Sequence, residues 1–213
     1  MKQFDQYFFV RWYEINGRDF PWRKEGVSSH ALMITEMLLR QTQAVSVSKI
    51  WKEFICAYPE AGILASADKR ELLQQLKVLG LSDQRTSALI NAAKWLVLHH
   101  RGLVPNNLEE LLMVPHIGHY TARAVLCFAF GYPIEIVDAN ILRFFSRYYG
   151  IDVKPDIRRN PRIWELARLA LPVDSNKVKQ HNYGLIDFAS MICRSRSPVC
   201  HKCNLSFTCK KFI

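Results

Sequence analysis

The chain has 213 residues, 49% of them hydrophobic, which is enough for one domain or two small ones with a buried core. No apolar run approaches the roughly 18 residues of a membrane-spanning helix, and the first residues lack the layout of a secretory signal peptide, so we expect a cytosolic protein. The net charge of +10 favours a polyanionic partner.

Hydrophobic residues recur with a helical period along almost the whole chain, and no segment shows convincing strand-type alternation. This pattern predicts an all-α protein. Cys56 and Cys127 fall in these apolar patterns and are expected to be buried core thiols. In chain order, the predicted helices are Phe4–Ile15, His30–Gln41, Ala44–Tyr58, Ala67–Leu76, Asp83–His99, Asn107–Val114, Tyr120–Phe130, Ala139–Tyr149, Pro161–Leu171 and Lys177–Ile192.

A short turn, Val114–His119, separates two of these helices, with Pro115 as a stop and Gly118 for a tight bend. The next helix is predicted to begin near Tyr120, so its free backbone N–H groups would point out of the turn. A helix N-terminus of this kind is a natural seat for a phosphate group. A turn with proline and glycine is, however, also common as a plain connection between two helices.

Asp138 stands between the apolar residues Ile136 and Val137 and the predicted helix Ala139–Tyr149. A lone carboxylate near a phosphate-binding turn suggests chemistry on the backbone or sugar of a nucleic acid. The alternative is that Asp138 only caps the helix that follows it.

Four of the six cysteines fall within the last 21 residues, with the spacing Cys193-x6-Cys200-x2-Cys203-x5-Cys209. In a cytosolic chain such a cluster indicates metal ligands before disulfides. Only one pair is closely spaced, whereas zinc fingers and ribbons usually combine two short pairs. The spacing therefore favours a 4Fe–4S cluster, which takes four cysteine ligands, with zinc as the alternative.

The turn, the aspartate and the cysteine spacing together resemble the helix-hairpin-helix (HhH-GPD) superfamily of DNA glycosylases. Endonuclease III, MutY and the Mig-type mismatch thymine glycosylases belong to it, and the resemblance covers essentially the whole chain. Phe20–Arg23 and Thr35–Gln43 look like the opening of MutY and Mig-type enzymes. Val114–Ala122 matches the hairpin, Ile136–Arg143 matches the segment of the catalytic aspartate, and His181–Cys193 leads into the cluster as in that family.

The resemblance implies two all-α domains. Residues 21–133 would form a six-helix barrel that ends in the hairpin, and residues 1–20 and 134–213 would form the domain that carries a structural 4Fe–4S cluster. Double-stranded DNA would lie in a cleft between them, with the target nucleotide flipped out because its sugar cannot be attacked inside the base stack. The protein would act as a monomer in the cytoplasm, associated with the nucleoid.

One position departs from the family pattern, because His116 stands where the hairpin usually has glycine. At a positive φ angle, histidine carries a steric cost that glycine avoids. The hairpin is expected to form with a slightly altered phosphate seat, in which His116 or His119 hydrogen-bonds a phosphate and Gly118 also contacts the DNA. Turn histidines that only face solvent are the alternative.

The resemblance also assigns catalytic roles. Asp138 would stabilise the positive charge of an oxocarbenium-like transition state and orient the attacking water. Tyr120 takes the position of the lysine that forms a Schiff base in bifunctional relatives, and tyrosine cannot form an imine. Glu36 matches a glutamate that acts as an acid in MutY and also occurs in Mig-type enzymes. The alternative for Tyr120 is that it only packs at the start of a helix. The alternative for Glu36 is that it is a polar residue on the rim of a mainly apolar helix.

Three residues at or just beyond the end of the second predicted helix are expected to contact DNA. Gln41 matches the residue that fills the gap left by the flipped nucleotide, and its amide can both donate to and accept from the orphaned base. Arg40 and Gln43 are expected to assist.

Three features favour the Mig-type enzymes. They are Tyr120, the segment Val137–Asn140, and the end of the chain four residues after Cys209, where MutY enzymes have an extra domain. The expected function is therefore a monofunctional DNA glycosylase that removes thymine or uracil mispaired with guanine. The alternatives are an adenine glycosylase acting on A·G or A·8-oxoguanine, a non-catalytic DNA-binding iron–sulfur protein, and an iron–sulfur electron carrier.

Overall fold

The computed structural model describes residues 4–152 and 161–211. Within these ranges the chain forms eleven α-helices and no β-strand, which confirms the predicted all-α class. None of the described helices is long and apolar enough to cross a membrane. The helices are α1 (Phe8–Asn16), α2 (Ser29–Leu38), α3 (Ala44–Ala57), α4 (Ala61–Ala65), α5 (Lys69–Leu76), α6 (Ser82–His100), α7 (Leu108–Met113), α8 (His119–Phe130), α9 (Ala139–Tyr149), α10 (Pro161–Leu169) and α11 (Val178–Met191).

The predicted helices differ from the observed ones mainly at their ends. Helix α1 begins four residues later than predicted, and α5 begins only after Asp68, whose side chain accepts hydrogen bonds from the N–H groups of Arg70 and Glu71. The five-residue helix α4 was not predicted, because little more than one turn shows no period. Cys127 is buried as predicted, but Cys56 is exposed, so the prediction for that thiol is wrong.

The chain divides into two compact units, one made of Met1–Arg18 and Gly131–Ile213 and the other of Asp19–Phe130. In the unit Asp19–Phe130, α2 is the central helix, and every residue from His30 to Leu38 is buried. Ser28 caps this helix, and Trp51 of α3 donates a hydrogen bond from Nε1 to the hydroxyl of Thr35 at 2.7 Å. The turn that follows α2 therefore leaves from a rigid support.

In the unit made of the two chain ends, α1 packs closely against α11. A Cβ atom on Gly184 of α11 would lie 2.1 Å from the carbonyl oxygen of Phe9, so this approach requires glycine. Phe9 also contacts the rings of Phe144 on α9 and Phe188 on α11. This aromatic core fixes α9, which begins next to Asp138, relative to α11, which leads into the cysteine loop.

Candidate functional site

Asp138 directly precedes α9 and caps it. Its Oδ1 accepts a hydrogen bond from the backbone N–H of Ile141 at 2.7 Å, and its Oδ2 accepts one from Nδ2 of Asn140, also at 2.7 Å. The side chain is half-buried. One bond to each oxygen fixes the orientation of the carboxylate and leaves further lone pairs for a ligand. The capping alternative is thus part of the same arrangement, and it does not conflict with a catalytic role.

The amide of Asn140 is itself held in place by Arg143, one turn further along α9. Nη2 of Arg143 donates to Oδ1 of Asn140 at 3.0 Å and to the carbonyl of Ala189 at 2.7 Å, while Nε donates to the carbonyl of Cys193 at 2.8 Å. Burial lowers the pKa of Arg143, and the nearby thiol of Cys193 opposes this shift. Because Oδ1 is occupied by Arg143, the Nδ2 group of Asn140 points to Asp138.

The predicted hairpin turn forms at Val114–His119. The N–H of Ile117 donates to the carbonyl of Val114 at 3.1 Å. The left-handed residue is His116, with φ 66°, whereas Gly118 does not have a positive φ. The steric cost anticipated for His116 is therefore present, and the role predicted for Gly118 in the bend is corrected. Both His116 and His119 are exposed.

Helix α8 begins at His119, directly after Gly118. A Cβ atom on Gly118 would meet no protein atom within 4 Å. Neither packing nor backbone conformation requires glycine at this position, which directly precedes the free N–H groups of the first turn of α8. Tyr120 is half-buried in that first turn, and Thr121 beside it is buried.

Glu36 lies in α2 and is only 5% exposed. Its neighbours along the helix are buried as well, so the alternative of a polar residue on the rim of the helix is wrong.

The turn after α2 carries the other predicted DNA-contacting residues. Gln41 is exposed and left-handed, with φ 53°. Arg40 is exposed, and its Nη1 donates to the carbonyl of His116 at 3.1 Å, which ties this turn to the hairpin. Gln43 is exposed at the N-cap position of α3, where its side chain makes no capping hydrogen bond.

An open cavity of about 520 Å³ lies beside these turns within the unit Asp19–Phe130. Three left-handed residues line it, Gln41, His116 and Leu81, the last with φ 50° and a side chain that is 50% exposed. Strained non-glycine residues tend to cluster at functional sites. Sequence reasoning missed Leu81, although an apolar residue between Gly80 and Ser82, outside the helical periods, was a usable signal.

The four C-terminal cysteines are half-buried free thiols. Burial raises the pKa of Cys203, and the charges of Cys209, Cys193 and Cys200 raise it further, so all four thiols lie near one another. Among the described residues, no three His, Cys, Asp or Glu side chains converge closely enough for a single metal ion. Four cysteine sulfurs are a donor set that either a 4Fe–4S cluster or a zinc ion accepts.

Comparison with known proteins identifies the family. Residues 34–168 match the HhH-GPD superfamily of base excision DNA repair proteins. The chain is 37% identical to a thymine/uracil-DNA glycosylase of Methanothermobacter thermautotrophicus, over 92% of this chain and 87% of the relative, and 35% identical to a thymine-DNA glycosylase of Aeropyrum pernix, over 94% and 90%. The solved structure of a thermostable thymine-DNA glycosylase superimposes with a TM-score of 0.86 at 35% identity, over 96% of this chain and 93% of that one. The resemblance found in the sequence is therefore confirmed, and the chain belongs to the HhH-GPD superfamily of base excision DNA repair proteins.

Proposed function

We propose that the protein is a monofunctional DNA glycosylase that hydrolyses the N-glycosidic bond of thymine or uracil mispaired with guanine. The similar relatives named above are thymine or thymine/uracil glycosylases, which supports this choice of base. The structural observation that carries the proposal is the carboxylate of Asp138, which is held by one hydrogen bond on each oxygen.

Asp138 acts on the sugar. As the bond between C1′ and the base breaks, the electron pair leaves with the base and positive charge develops on the sugar. A carboxylate that is already oriented stabilises this charge without reorganisation and accepts a hydrogen bond from the water that attacks C1′. The water oxygen adds to C1′, its proton is released, and the base takes up a proton as it leaves. Glu36 is the candidate donor of that proton.

Tyr120 decides between the two modes of strand chemistry. A lysine amine at this place would attack C1′ and form an imine, which leads to strand cleavage. A phenol cannot form an imine. The product is therefore an intact strand with an abasic site.

The hairpin and the two left-handed turns supply the contacts to DNA. The free N–H groups at the start of α8 and the open space over Gly118 suit a phosphate, with His116 and His119 as exposed neighbours. Gln41 and Leu81 are exposed side chains that fill the gap left by the flipped nucleotide, with Leu81 as the apolar wedge. Arg40 and Gln43 contact the backbone nearby. The substrate is double-stranded DNA, and one copy of the chain suffices to bind it.

Cys193, Cys200, Cys203 and Cys209 hold a 4Fe–4S cluster that organises the loop after α11. Arg147 is placed to offset the negative charge of these ligands. Its Nη1 lies 3.6 Å from Sγ of Cys193 and also donates to the carbonyl of Arg194 at 2.6 Å. A positive group beside thiolate ligands offsets their negative charge. Anaerobic purification should give about four iron atoms and four sulfides per chain, and zinc without sulfide would contradict this assignment.

The proposed function is tested by single-turnover cleavage of labelled duplexes carrying G·T, G·U, A·G, A·8-oxoguanine or a thymine glycol control, each with and without hot alkali. Breaks at the thymine or uracil strand that need alkali support the proposal. Breaks at adenine would assign the protein to the adenine glycosylases, and breaks without alkali would contradict the role of Tyr120. No cleavage of any duplex would favour a non-catalytic DNA-binding protein.

A further inference from the structure

Arg85, near the start of α6, is a buried arginine that sequence reasoning did not single out; it is 6% exposed. All of its nitrogens donate hydrogen bonds, either to the end of α2 or to the two turns that flank the cavity. Nε donates to the carbonyl of Gly80 (3.4 Å), Nη1 to those of Met37 (3.2 Å) and Leu38 (2.9 Å), and Nη2 to the carbonyl of Arg40 (3.1 Å) and to Oγ1 of Thr42 (2.7 Å).

These acceptors have a common position in the chain. The carbonyls of Met37 and Leu38 belong to the last turn of α2, where a helix leaves its C=O groups without internal partners. The carbonyl of Arg40 belongs to the peptide before Gln41, and that of Gly80 to the peptide before Leu81. One guanidinium therefore fixes the peptide unit that precedes each of two left-handed residues.

Holding Arg85 in this place has a cost. Burial lowers the pKa of Arg85, and the positive charge of Arg40 lowers it further. A buried cation is retained only where its donors are satisfied, and a planar fork of five N–H groups matches the two turns in a way that no other side chain does. Gln41 and Leu81 are exposed and have left-handed backbone conformations, which are unfavourable for residues other than glycine. The two turns are therefore held in place by contacts from outside them, such as the hydrogen bonds from Arg85.

We infer that Arg85 is a positioning residue for base flipping, which holds Gln41 and Leu81 as one rigid pair that enters the DNA when the nucleotide leaves the stack. The inference rests on the proposed function. Arg85 acts before the N-glycosidic bond breaks, so it affects the extrusion of a paired base and leaves the hydrolysis of a base that is already extruded unchanged.

The test compares two uracil substrates in single-turnover base release, one with uracil opposite guanine and one with uracil in a single-nucleotide bulge, where little stacking has to be broken. Arg85→Lys keeps the charge but removes the fork. Arg70→Lys, the same change at an exposed position of α5, is the matched control. Thr42→Val removes one of the five acceptors, together with the longer contacts of its hydroxyl to the carbonyls of Arg40 (3.3 Å) and Leu79 (3.4 Å), and so weakens the same set of contacts between the two turns with less risk to folding.

Arg85→Lys is expected to slow release from the G·U duplex by about tenfold or more, given the strength of hydrogen bonds to a charged group, while release from the bulge, measured well below the melting temperature of the variant, changes little. Thr42→Val should show a smaller loss of the same kind, and Arg70→Lys none. In parallel, 2-aminopurine next to the target should lose its fluorescence rise on binding to Arg85→Lys.

Equal losses on both substrates, or no loss in either variant, would overturn the inference and leave the proposed function intact. If Arg85→Lys does not fold, Thr42→Val decides between these outcomes. A wild-type protein that releases uracil from neither substrate would overturn the proposed function, and the inference with it.

Discussion

Nδ2 of Asn140 lies 2.7 Å from Oδ2 of Asp138, and this contact orients the carboxylate on which the proposed chemistry depends. The other end of the Asn140 amide accepts a hydrogen bond from Arg143, which also donates to the carbonyl of Cys193. A continuous chain of hydrogen bonds thus joins the candidate catalytic carboxylate to the first cysteine of the cluster loop, within a single unit of the fold.

Asn140→Ala should slow base release by roughly tenfold to a hundredfold, because a hydrogen bond to a charged group contributes about 1.5–3 kcal/mol. DNA affinity should stay the same, since the change leaves the hairpin untouched. Single-turnover rates and fluorescence anisotropy measure the two quantities. Asn176→Ala, at an exposed position of the same unit, is the control. A normal rate in Asn140→Ala would mean that the Ile141 contact alone holds Asp138.

His116→Gly should stabilise the protein. The left-handed conformation costs a non-glycine residue about 1–2 kcal/mol, whereas glycine lowers the free energy of unfolding by only about 0.5–1 kcal/mol, because it raises the entropy of the unfolded chain. For a chain of this size, the melting temperature should rise by roughly 1–3 °C. His119→Gly, at the start of α8 and without a positive φ, should lower it. A fall in the melting temperature of His116→Gly would show that the imidazole makes contacts that outweigh the strain.

Gly118→Ala should separate DNA binding from folding. The added methyl group meets no protein atom, so the melting temperature should not fall, but it stands directly before the first turn of α8, where the phosphate is proposed to bind. Affinity for duplex DNA should weaken by about tenfold, as expected for the loss of a charge-assisted contact. Gly62→Ala in α4 is the control, since it also has room for a methyl group. Unchanged affinity in Gly118→Ala would place the phosphate elsewhere.

Stability should fall in mild acid because of His181, a buried residue of α11. Burial lowers its pKa to about 4 from 6.5, although the hydrogen bond from Nδ1 to the carbonyl of Gln6 opposes the shift. Between these values the unfolded chain binds a proton that the folded chain does not, so the free energy of unfolding is complete above about pH 6.5 and falls as the pH drops towards 4. The slope from this residue is at most about 1.4 kcal/mol per pH unit.

Urea unfolding of wild type and His181→Gln across this range checks the prediction. The variant should show a smaller slope, and part of the slope should remain because burial also lowers the pKa of His30. His119→Gln, at an exposed position, should behave like wild type. An identical slope in His181→Gln and wild type would contradict the assignment.

The sequence predicted those features that a repeating pattern or a fixed spacing reveals. Long helices such as α9 were found, since their apolar residues recur over several turns, and the cysteine spacing pointed to a metal group. The strain at His116 was anticipated because histidine stands there in place of the glycine that is usual in the family hairpin. Helix α4 was too short to show a period.

Features that depend on contacts between distant residues could not be predicted. The bond from Arg143 to the carbonyl of Cys193 spans 50 positions, and that from Arg85 to Met37 spans 48. Polar residues in helices usually face solvent, so nothing in the local sequence shows that these two arginines hold distant segments together. The exposure of Cys56 likewise follows from which face of α3 meets the core, and a mixed apolar pattern does not fix that face.

The most direct test of the account is base release by Asp138→Asn under single-turnover conditions on a G·T or G·U duplex, with affinity for the same duplex measured in parallel. Asparagine keeps the shape and the capping oxygen but has no negative charge to stabilise the sugar. We expect the rate to fall by about a hundredfold or more while affinity is retained. Base release at a rate close to that of wild type would contradict the central claim that the Asp138 carboxylate drives the reaction.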